Sequence, residues 1–325
     1  MRYQRYNIAL VCVLLLTTHA YGQTRPSKYK RVLDWPSLPA DFELGQVTGV
    51  ATGNGQYVYV FHRSDRTWTT PFPPDSITGH TIAVLDATTG KLISTLGGRR
   101  FIMPHGLSVD RSGDLWLTDV GAHQVFKMDP KSGELILTLG TAGVPGNDHS
   151  HFNRPTDVAF AKDGTIYVSD GYLNTRVVRF SAAGKYLGQW GTAGRGPGEL
   201  DLPHGIAVSG NRVYVCDRSN LRIQVFNLKG RFLDQWQSSL IGRPFGVATG
   251  TRKQVFIVDG GDQPNHTRSR VVILNANGRM LTTFNAGQID DPKNLGHDIA
   301  VGQDNAVYVA DAWARCVRKF IPWDE

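Results

Sequence analysis

The chain has 325 residues, of which 41% are hydrophobic and 19% are charged, and its mean hydropathy is −0.25. This composition is typical of a folded globular protein, and it excludes collagen-like, low-complexity and multipass membrane proteins. The formal net charge is +7, but the chain has no Lys/Arg run and no basic stretch with interleaved aromatic residues. Nucleic acid is therefore not expected as a partner.

The N-terminus has the order of features found in a secretory signal peptide. A basic start with two arginines precedes an apolar run at residues 8–16, and residues 20–22 read Ala-Tyr-Gly, a small-x-small cleavage site. The apolar run is too short to span a bilayer. We therefore expect cleavage after Gly22, a secreted or periplasmic location without a membrane span, and one mature domain of residues 23–325.

A repeated unit fills the chain from residue 45 to residue 320. Each unit opens with a short turn and an apolar residue, at residues 47–50, 104–107, 155–158, 203–206, 244–247 and 296–299. Six units of roughly 50 residues indicate a repeat architecture.

Short apolar segments separated by turn residues predict four strands in each unit. The second strand of the later units ends in aspartate, at Asp119, Asp170, Asp217, Asp259 and Asp311. The first unit has His62 and Arg63 at this point instead. Four short strands per unit are typical of a β-propeller blade, so the sequence predicts an all-β, six-bladed β-propeller.

The last unit lacks a fourth strand. Residues 29–35 resemble the fourth strand at residues 230–236. We therefore expect this N-terminal strand to pair into the last blade and close the ring.

Equivalent residues of the six openings should face the central channel, because the innermost strand of each blade lines it. They are Thr48, His105, Thr156, His204, Phe245 and His297. A single histidine in a strand is usually a hydrogen-bonded structural residue. Three at one repeat position in alternate blades favour a three-histidine zinc site with an open coordination position, although other first-row ions can bind such a site.

Four further residues stand near these openings. Asp298 follows a proposed ligand and should point away from that ion, so it either accepts a hydrogen bond from a turn amide or binds a harder ion such as Ca²⁺. Arg63, Tyr172 and Arg218 lie just beyond the second strands of their units, where such residues are ordinarily surface or inter-blade contacts.

Two long connections, at residues 68–81 and 143–153, are either rims of a binding site or ordinary solvated insertions. After cleavage, Cys216 and Cys316 are the remaining cysteines, and we expect both to be unpaired buried thiols. Asn265 begins an Asn-His-Thr sequence, which is an acceptor for N-glycosylation only if the source glycosylates its secreted proteins.

The motifs, taken in order from residue 33 to Phe320, resemble those of the peptidyl-α-hydroxyglycine α-amidating lyase family, which are propellers of NHL-type repeats. The stretches that carry the resemblance are residues 46–50 (QVTGV), 61–63 (FHR), 103–110 (MPHGLSVD), 118–120, 123–127, 154–158 (RPTDV) and 168–180 (VSDGYLNTRVVRF).

The resemblance implies a zinc-dependent enzyme that converts a small peptide with a C-terminal α-hydroxyglycine into a peptide amide and glyoxylate. The zinc ligands of the family match His105, His204 and His297. Its structural calcium site matches Asp298 with the backbone carbonyls of Val50 and Leu107. Its active-site tyrosine and arginines match Tyr172, Arg63 and Arg218. Either a separate copper monooxygenase supplies this substrate or the physiological substrate differs. Apart from the resemblance, a monomer is the default expectation.

The chain departs from the family pattern at several positions. A methionine that lines the family's active site is replaced by Leu295, which we expect to line the substrate site here. The two disulfides of secreted animal members are missing, because their positions match Asn153 with Leu173 and Tyr214 with Val225.

Two other functions remain open at this point. A non-catalytic NHL propeller that binds a peptide or a glycan would need neither the zinc nor Tyr172. A metal-dependent propeller hydrolase or lactonase would ordinarily use carboxylate and asparagine ligands, which a ring with three histidines does not favour.

Overall fold

The computed structural model describes residues 29–263, 268–287 and 294–323. Within these ranges the regular structure is β-strand apart from a single 3-10 turn at Arg218–Asn220, and the strands form six four-stranded antiparallel sheets. The predicted all-β, six-bladed propeller is therefore confirmed. The expected signal peptide and the acceptor Asn265 lie outside the described residues. No helix in the described part of the chain is long and apolar enough to cross a membrane.

The strands of each blade follow one another from the channel outwards. Blade 1 consists of β2 Val47–Thr52, β3 Tyr57–His62, β4 Ile82–Asp86 and β5 Leu92–Leu96. Blade 2 consists of β6 Pro104–Val109, β7 Leu115–Asp119, β8 Gln124–Met128 and β9 Leu135–Leu139. Blade 3 consists of β10 Pro155–Phe160, β11 Ile166–Asp170, β12 Arg176–Phe180 and β13 Tyr186–Trp190. Blade 4 consists of β14 Pro203–Ser209, β15 Arg212–Asp217, β16 Arg222–Asn227 and β17 Phe232–Trp236. Blade 5 consists of β18 Pro244–Thr249, β19 Val255–Asp259, β20 Arg270–Leu274 and β21 Met280–Asn285. Blade 6 consists of β22 Gly296–Val301, β23 Val307–Asp311, β24 Cys316–Pro322 and β1 Tyr29–Val32.

The apolar core lies between neighbouring blades. Second strands such as β7 are buried along their whole length, because both of their faces pack against another blade, whereas the outer strand β9 is mostly exposed. Between blades 1 and 2, for example, the ring of Phe101 packs edge-on against Phe61 at 5.0 Å and against Phe126 at 5.5 Å. Such interlocked rings hold adjacent blades at a constant distance from the channel.

The ring closes through the N-terminal strand, as the sequence predicted. Strand β1 pairs antiparallel with β24, so that the first described residues complete the last blade. The ring of Tyr29 stacks on Phe284 at 5.0 Å and meets Phe256 edge-on at 6.5 Å. Tyr29 therefore joins the closing strand to the core between blades 5 and 6.

We expect Tyr29→Ala to lower the free energy of unfolding by about 2 kcal/mol, because it removes a half-buried ring from this core. Urea denaturation measures the change. Leu33→Ala is the control, since Leu33 is 78% exposed directly after the same strand. Equal effects of the two substitutions would contradict the closing role of Tyr29.

The aspartates that end the second strands accept hydrogen bonds from the backbone just before each innermost strand. Asp119, for example, accepts hydrogen bonds from the backbone N–H groups of Ile102 and Met103 at 2.6 and 2.9 Å. In blade 1, His62 accepts hydrogen bonds in place of the aspartate: its Nδ1 accepts from the N–H groups of Gly45 and Ser64 at 3.2 and 3.1 Å. His62 alone therefore replaces the aspartate, and Arg63 occupies the next position.

Because His62 must accept these hydrogen bonds, it is neutral in the folded chain. Burial, reinforced by His80, lowers its pKa to about 4. The unfolded chain takes up a proton near pH 6.5 and the folded chain only near pH 4, so stability is lost as the pH falls through this window.

We expect His62→Asn to flatten the loss of stability between pH 6.5 and pH 4, by up to about 3 kcal/mol over the window, since an amide oxygen accepts without titrating. Denaturation curves at several pH values measure this. His80→Asn, at an exposed position, serves as the control and should retain the steep dependence. An unchanged slope in His62→Asn would contradict the assignment.

Neither remaining cysteine forms a disulfide, as expected. Cys216 is buried, but Cys316 is only half-buried, so the expectation of two buried thiols was wrong for Cys316. The reason is that Cys316 begins β24 next to the turn that leaves Asp311. The positions matched to the family's missing disulfides are neighbours here without a covalent link: Tyr214 lies opposite Val225, and Leu173 donates a backbone hydrogen bond to Asn153.

Candidate metal centre and active site

A β-bulge in every innermost strand creates the ring of channel residues. In blade 1, Val47 pairs with His62 and Gly49 with Phe61, so Thr48 has no opposite residue. The other five innermost strands shift register at the equivalent point. A bulge re-aims the side chain of the extra residue. The side chains that enclose the resulting cavity of about 10 Å³ include all six predicted ring residues, namely Thr48, His105, Thr156, His204, Phe245 and His297.

The three histidines meet on the axis of the channel. One ring nitrogen from each of His105, His204 and His297 lies within 4.8 Å of the others. Their ring centroids are 4.7 to 4.9 Å apart, and the three residues are 1%, 2% and 5% exposed. The structure thus brings together the three residues that the repeat pattern selected.

A hydrogen bond to the next blade orients each imidazole. The Nδ1 atoms lie 2.7 Å from a backbone carbonyl oxygen, of Thr156 for His105, of Phe245 for His204 and of Thr48 for His297. A carbonyl oxygen can only accept, so Nδ1 carries the proton and the lone pair of Nε2 points towards the axis. Glycine at position 106 permits the close approach of the strands, since a Cβ there would meet the Thr156 oxygen at 2.3 Å.

The three imidazoles are neutral. Burial lowers the pKa of His297 to about 3, with Arg63 adding to the effect. Burial, followed by the neighbouring histidines and arginines, also lowers the pKa values of His105 and His204 well below the ordinary range. Nε2 of His204 is buried without a hydrogen-bond partner. Three neutral imidazoles whose ring nitrogens converge in this way form a donor set that can hold a first-row divalent cation.

Tyr172 lies beside this donor set. Its hydroxyl is 3.1 Å from Nε2 of His105, and the two rings meet edge-on at 5.2 Å. The tyrosine is half-buried and follows the second strand of blade 3. The residue matched to the family's active-site tyrosine therefore reaches the histidines.

The two arginines occupy equivalent repeat positions, one residue after the second strands of blades 1 and 4. Burial lowers the pKa of Arg63 to about 10, an effect that Tyr172 and Asp119 oppose. Burial also lowers the pKa of Arg218, and the electrostatic interaction with Tyr172 opposes this. Both guanidinium groups are thus close enough to Tyr172 to stabilise a negative charge there.

The two arginines differ in how their N–H groups are used. Arg63 donates from Nε to the carbonyl of Pro104 at 3.2 Å and from Nη1 to Gln46 Oε1 at 2.7 Å. Arg218 lies 3.9 Å over the ring of Phe245, and its Nε and Nη1 atoms are buried without an acceptor. The protein therefore anchors Arg63 and leaves donors of Arg218 available to a ligand.

One of the two long connections reaches the site. In residues 68–81, the Trp68 ring lies 5.2 Å from Tyr172 and 4.9 Å from the Arg63 guanidinium. Gln46 Oε1 also accepts from the Trp68 N–H at 3.0 Å, which links the loop to Arg63. Sequence reasoning did not single out Gln46 or Trp68, because their role depends on how the loop folds back.

The other long connection, residues 143–153, lies against the outer part of blade 3. The ring of His149 stacks on Tyr186 of the outermost strand at 4.1 Å, and Arg176 donates to the carbonyl of His151. This segment is therefore an insertion packed on its blade rather than a wall of the histidine cavity.

A second cavity of about 240 Å³ continues along the channel from the histidines. Val50, Leu107, Asp157 and Asp298 are among its lining residues. Asp298 accepts from the N–H groups of Val50 at 2.9 Å and Ile299 at 2.8 Å, so it binds backbone amides, but those of two innermost strands rather than of a turn. Asp157, the equivalent residue of blade 3, was not singled out from the sequence, although its repeat position could have revealed it.

The two aspartates are buried and interact with each other. Burial raises the pKa of Asp298 to about 7. Burial together with the charge of Asp298 raises the pKa of Asp157 well above its ordinary range. A cation between them would relieve this repulsion.

Leu295 does not belong to the wall of the histidine cavity as described. It is 8% exposed and packs into the core between blades 5 and 6, where it and Phe245 both lie against Gly260. A role of Leu295 in lining the wider substrate site stays a prediction.

Known proteins agree with this architecture. Residues 101–128 and 200–226 match the NHL repeat family. A probable peptidyl-alpha-hydroxyglycine alpha-amidating lyase of Caenorhabditis elegans is 41% identical over 198 residues, which cover 57% of this chain and 56% of the relative. Peptidyl-glycine alpha-amidating monooxygenase B of Xenopus laevis is 37% identical over 314 residues, which cover 89% of this chain. NHL repeat-containing protein 3 of Mus musculus is 30% identical over 236 residues, which cover 68% of this chain and 67% of the relative. This chain belongs to the NHL-repeat proteins, and it is similar to the amidating lyases among them.

The chain spans about a third of the length of the Xenopus relative, because the match covers 35% of that protein. Among solved structures, a gluconolactonase from Xanthomonas campestris aligns with a TM-score of 0.63 at 16% identity, covering 86% of each chain. That likeness concerns the fold alone.

We expect the purified protein to bind one first-row divalent cation tightly and His204→Ala to lose it, because a ligand and a blade-to-blade hydrogen bond are removed together. Metal analysis after gel filtration measures the content. His149→Ala is the matched control, since His149 lies outside the ring. Equal metal content in wild type and His204→Ala would contradict the assignment.

Proposed function

We propose that this chain is a metal-dependent lyase that cleaves the C–N bond of a peptidyl-α-hydroxyglycine, yielding a C-terminally amidated peptide and glyoxylate. The observation that carries the proposal is the convergence of three neutral imidazoles with the hydroxyl of Tyr172, which lies 3.1 Å from Nε2 of His105. Relatives named for this activity support it.

The reaction requires two proton movements. The hydroxyl of the α-hydroxyglycine loses a proton as its oxygen forms the carbonyl of glyoxylate, the C–N bond breaks, and the electron pair passes to nitrogen, which gains a proton to become the amide. No net proton is consumed. A single group that accepts the first proton and returns it to nitrogen therefore suffices.

Tyr172 is the group we assign to this transfer. A phenol is a weak base at neutral pH, so its deprotonated form needs nearby positive charge. Arg63 and Arg218 both interact electrostatically with Tyr172, and this supports the assignment.

His105, His204 and His297 would hold Zn²⁺, the cation best suited to three imidazoles and an open position. The buried, unpartnered Nε2 of His204 and the neutral state of the three rings fit this ion. When bound, zinc supplies Lewis acidity that makes an adjacent hydroxyl easier to deprotonate.

We assign different tasks to the two arginines. Arg218 would bind the carboxylate of the hydroxyglycine, because two of its buried nitrogens have no acceptor. Arg63 would act on Tyr172 through its charge, because its Nε and Nη1 atoms already donate to Pro104 and Gln46.

A structural Ca²⁺ would occupy the second cavity. We propose Asp298 and the backbone carbonyls of Val50 and Leu107 as ligands, and oxygen donors are what this ion prefers. The raised pKa values of Asp157 and Asp298 support a cation here, since a positive charge would stabilise both carboxylates.

We further propose that the protein is secreted or periplasmic and acts as a monomer on small peptides. The signal-like order of residues 1–22 supports the location. A copper monooxygenase that hydroxylates a C-terminal glycine would be the separate partner that supplies the substrate. The monooxygenase names of several relatives support this link between the two reactions.

The proposal is tested by measuring glyoxylate released from an α-hydroxyglycine peptide. We expect chelator-sensitive release that falls roughly 10²- to 10⁴-fold in Tyr172→Phe, because proton transfer is lost. Arg218→Gln should act chiefly on KM, by roughly 10- to 100-fold, because a hydrogen bond to a charged group is removed.

Tyr186→Phe is the matched control, since this tyrosine lies on the outer strand of blade 3. Absence of glyoxylate from the metal-loaded wild type would exclude the proposed reaction. Full activity in Tyr172→Phe would exclude the proposed role of the phenol.

A further inference from the structure

We propose that Arg154, at the rim of the site, binds a carboxylate side chain of the peptide substrate a few residues before the hydroxyglycine. The inference rests on the proposed function, and it adds a substrate class: peptides with an acidic residue near the amidated end.

A series of side chains in contact connects Arg154 to Tyr172, which lies beside the histidine cavity. The guanidinium of Arg154 lies 4.5 Å over the ring of Phe72, Phe72 meets Trp68 edge-on at 4.8 Å, and Trp68 lies 5.2 Å from Tyr172. These three rings, from Phe72 to Tyr172, form what we call the aromatic shelf. A peptide that reaches Tyr172 with its C-terminus can lie along this shelf towards Arg154.

The loop that carries the shelf is already held in place. Arg66 donates to the carbonyls of Asp75 and Ile102 at 2.6 and 2.9 Å and forms an ion pair with Asp75, while Gln46 accepts from the Trp68 N–H. The shelf is therefore organised before a ligand arrives, which lowers the entropic cost of binding.

Arg154 is a cation without a protein counter-ion. Among the described residues no carboxylate lies within ion-pair distance of it, whereas Arg66 is paired with Asp75 and Arg243 with Asp262. The Nε atom of Arg154 is buried without an acceptor. A carboxylate is the ligand that best satisfies an arginine whose face is already stacked.

His123, which contacts the backbone of Arg154, does not supply a negative charge. Nδ1 of His123 accepts from the backbone N–H of Arg154 at 3.2 Å, so this ring is neutral. The available negative charge must therefore come from a ligand.

The reach of the shelf sets the position of the acidic residue. Each of the three steps from Tyr172 to Arg154 is close to 5 Å, and an extended peptide advances roughly 3.3–3.6 Å per residue. A side chain about two to four residues before the hydroxyglycine can meet the guanidinium.

The experiment compares peptides that differ only in Glu or Gln at the second, third or fourth residue before the hydroxyglycine. We expect wild-type kcat/KM for glyoxylate release to favour Glu about tenfold at one of these positions, mainly through KM. Arg154→Gln should bring the Glu-to-Gln ratio to about one, and Arg154→Lys should retain part of it. Arg252→Gln, an exposed residue elsewhere on the surface, is the charge-matched control and should leave the ratio unchanged.

A second readout does not depend on turnover. Calorimetry with the same peptides ending in unhydroxylated glycine measures binding, and the Glu peptide should bind more tightly to wild type but not to Arg154→Gln. If no peptide releases glyoxylate, the proposed lyase function fails, and calorimetry still decides the carboxylate site. A ratio of one at every position, an equal loss for both peptides in Arg154→Gln, or a Glu preference that survives Arg154→Gln would overturn the inference.

Discussion

Three hydrogen bonds between blades determine the geometry of the histidine site. They run from the Nδ1 atoms of His105, His204 and His297 to backbone carbonyls of the following blades. They select the tautomer in which every Nε2 faces the axis, and they join blades 2 to 3, 4 to 5 and 6 to 1. The last of them links His297 to Thr48, which lie 249 residues apart in sequence. The donor set therefore forms only in a closed ring, and closure in turn depends on the N-terminal strand β1.

The channel separates two chemical environments along its length. At the bulges, three imidazoles line a small cavity, and nitrogen donors there suit a borderline metal ion. At the next position along two innermost strands, Asp157 and Asp298 provide oxygen atoms in a wider cavity. Asp157 and Asp298 also line the small cavity, so a two-residue sequence such as His297-Asp298 contributes to both environments at their boundary.

Functional residues arise where one blade departs from the common repeat. The position after the second strand is glycine or a small apolar residue in several blades, but it is arginine in blades 1 and 4. The rigid scaffold brings these two arginines near one tyrosine from blade 3. The residues of the rim also lie outside the common repeat. Phe72 and Trp68 belong to a long insertion in blade 1, and Arg154 directly precedes the innermost strand of blade 3.

The sequence alone determined the repeat, the number of blades, the closing strand and the three histidines, because each is encoded by a residue's position within a unit that recurs six times. It did not reveal the bulges that turn those histidines to the axis, the partnership of Asp157 with Asp298, or the exposure of Cys316. It also did not show that Leu295 packs into the core between blades 5 and 6, next to Phe245. Such features depend on the direction of a side chain and on contacts between blades, and the close packing of distant segments decides both.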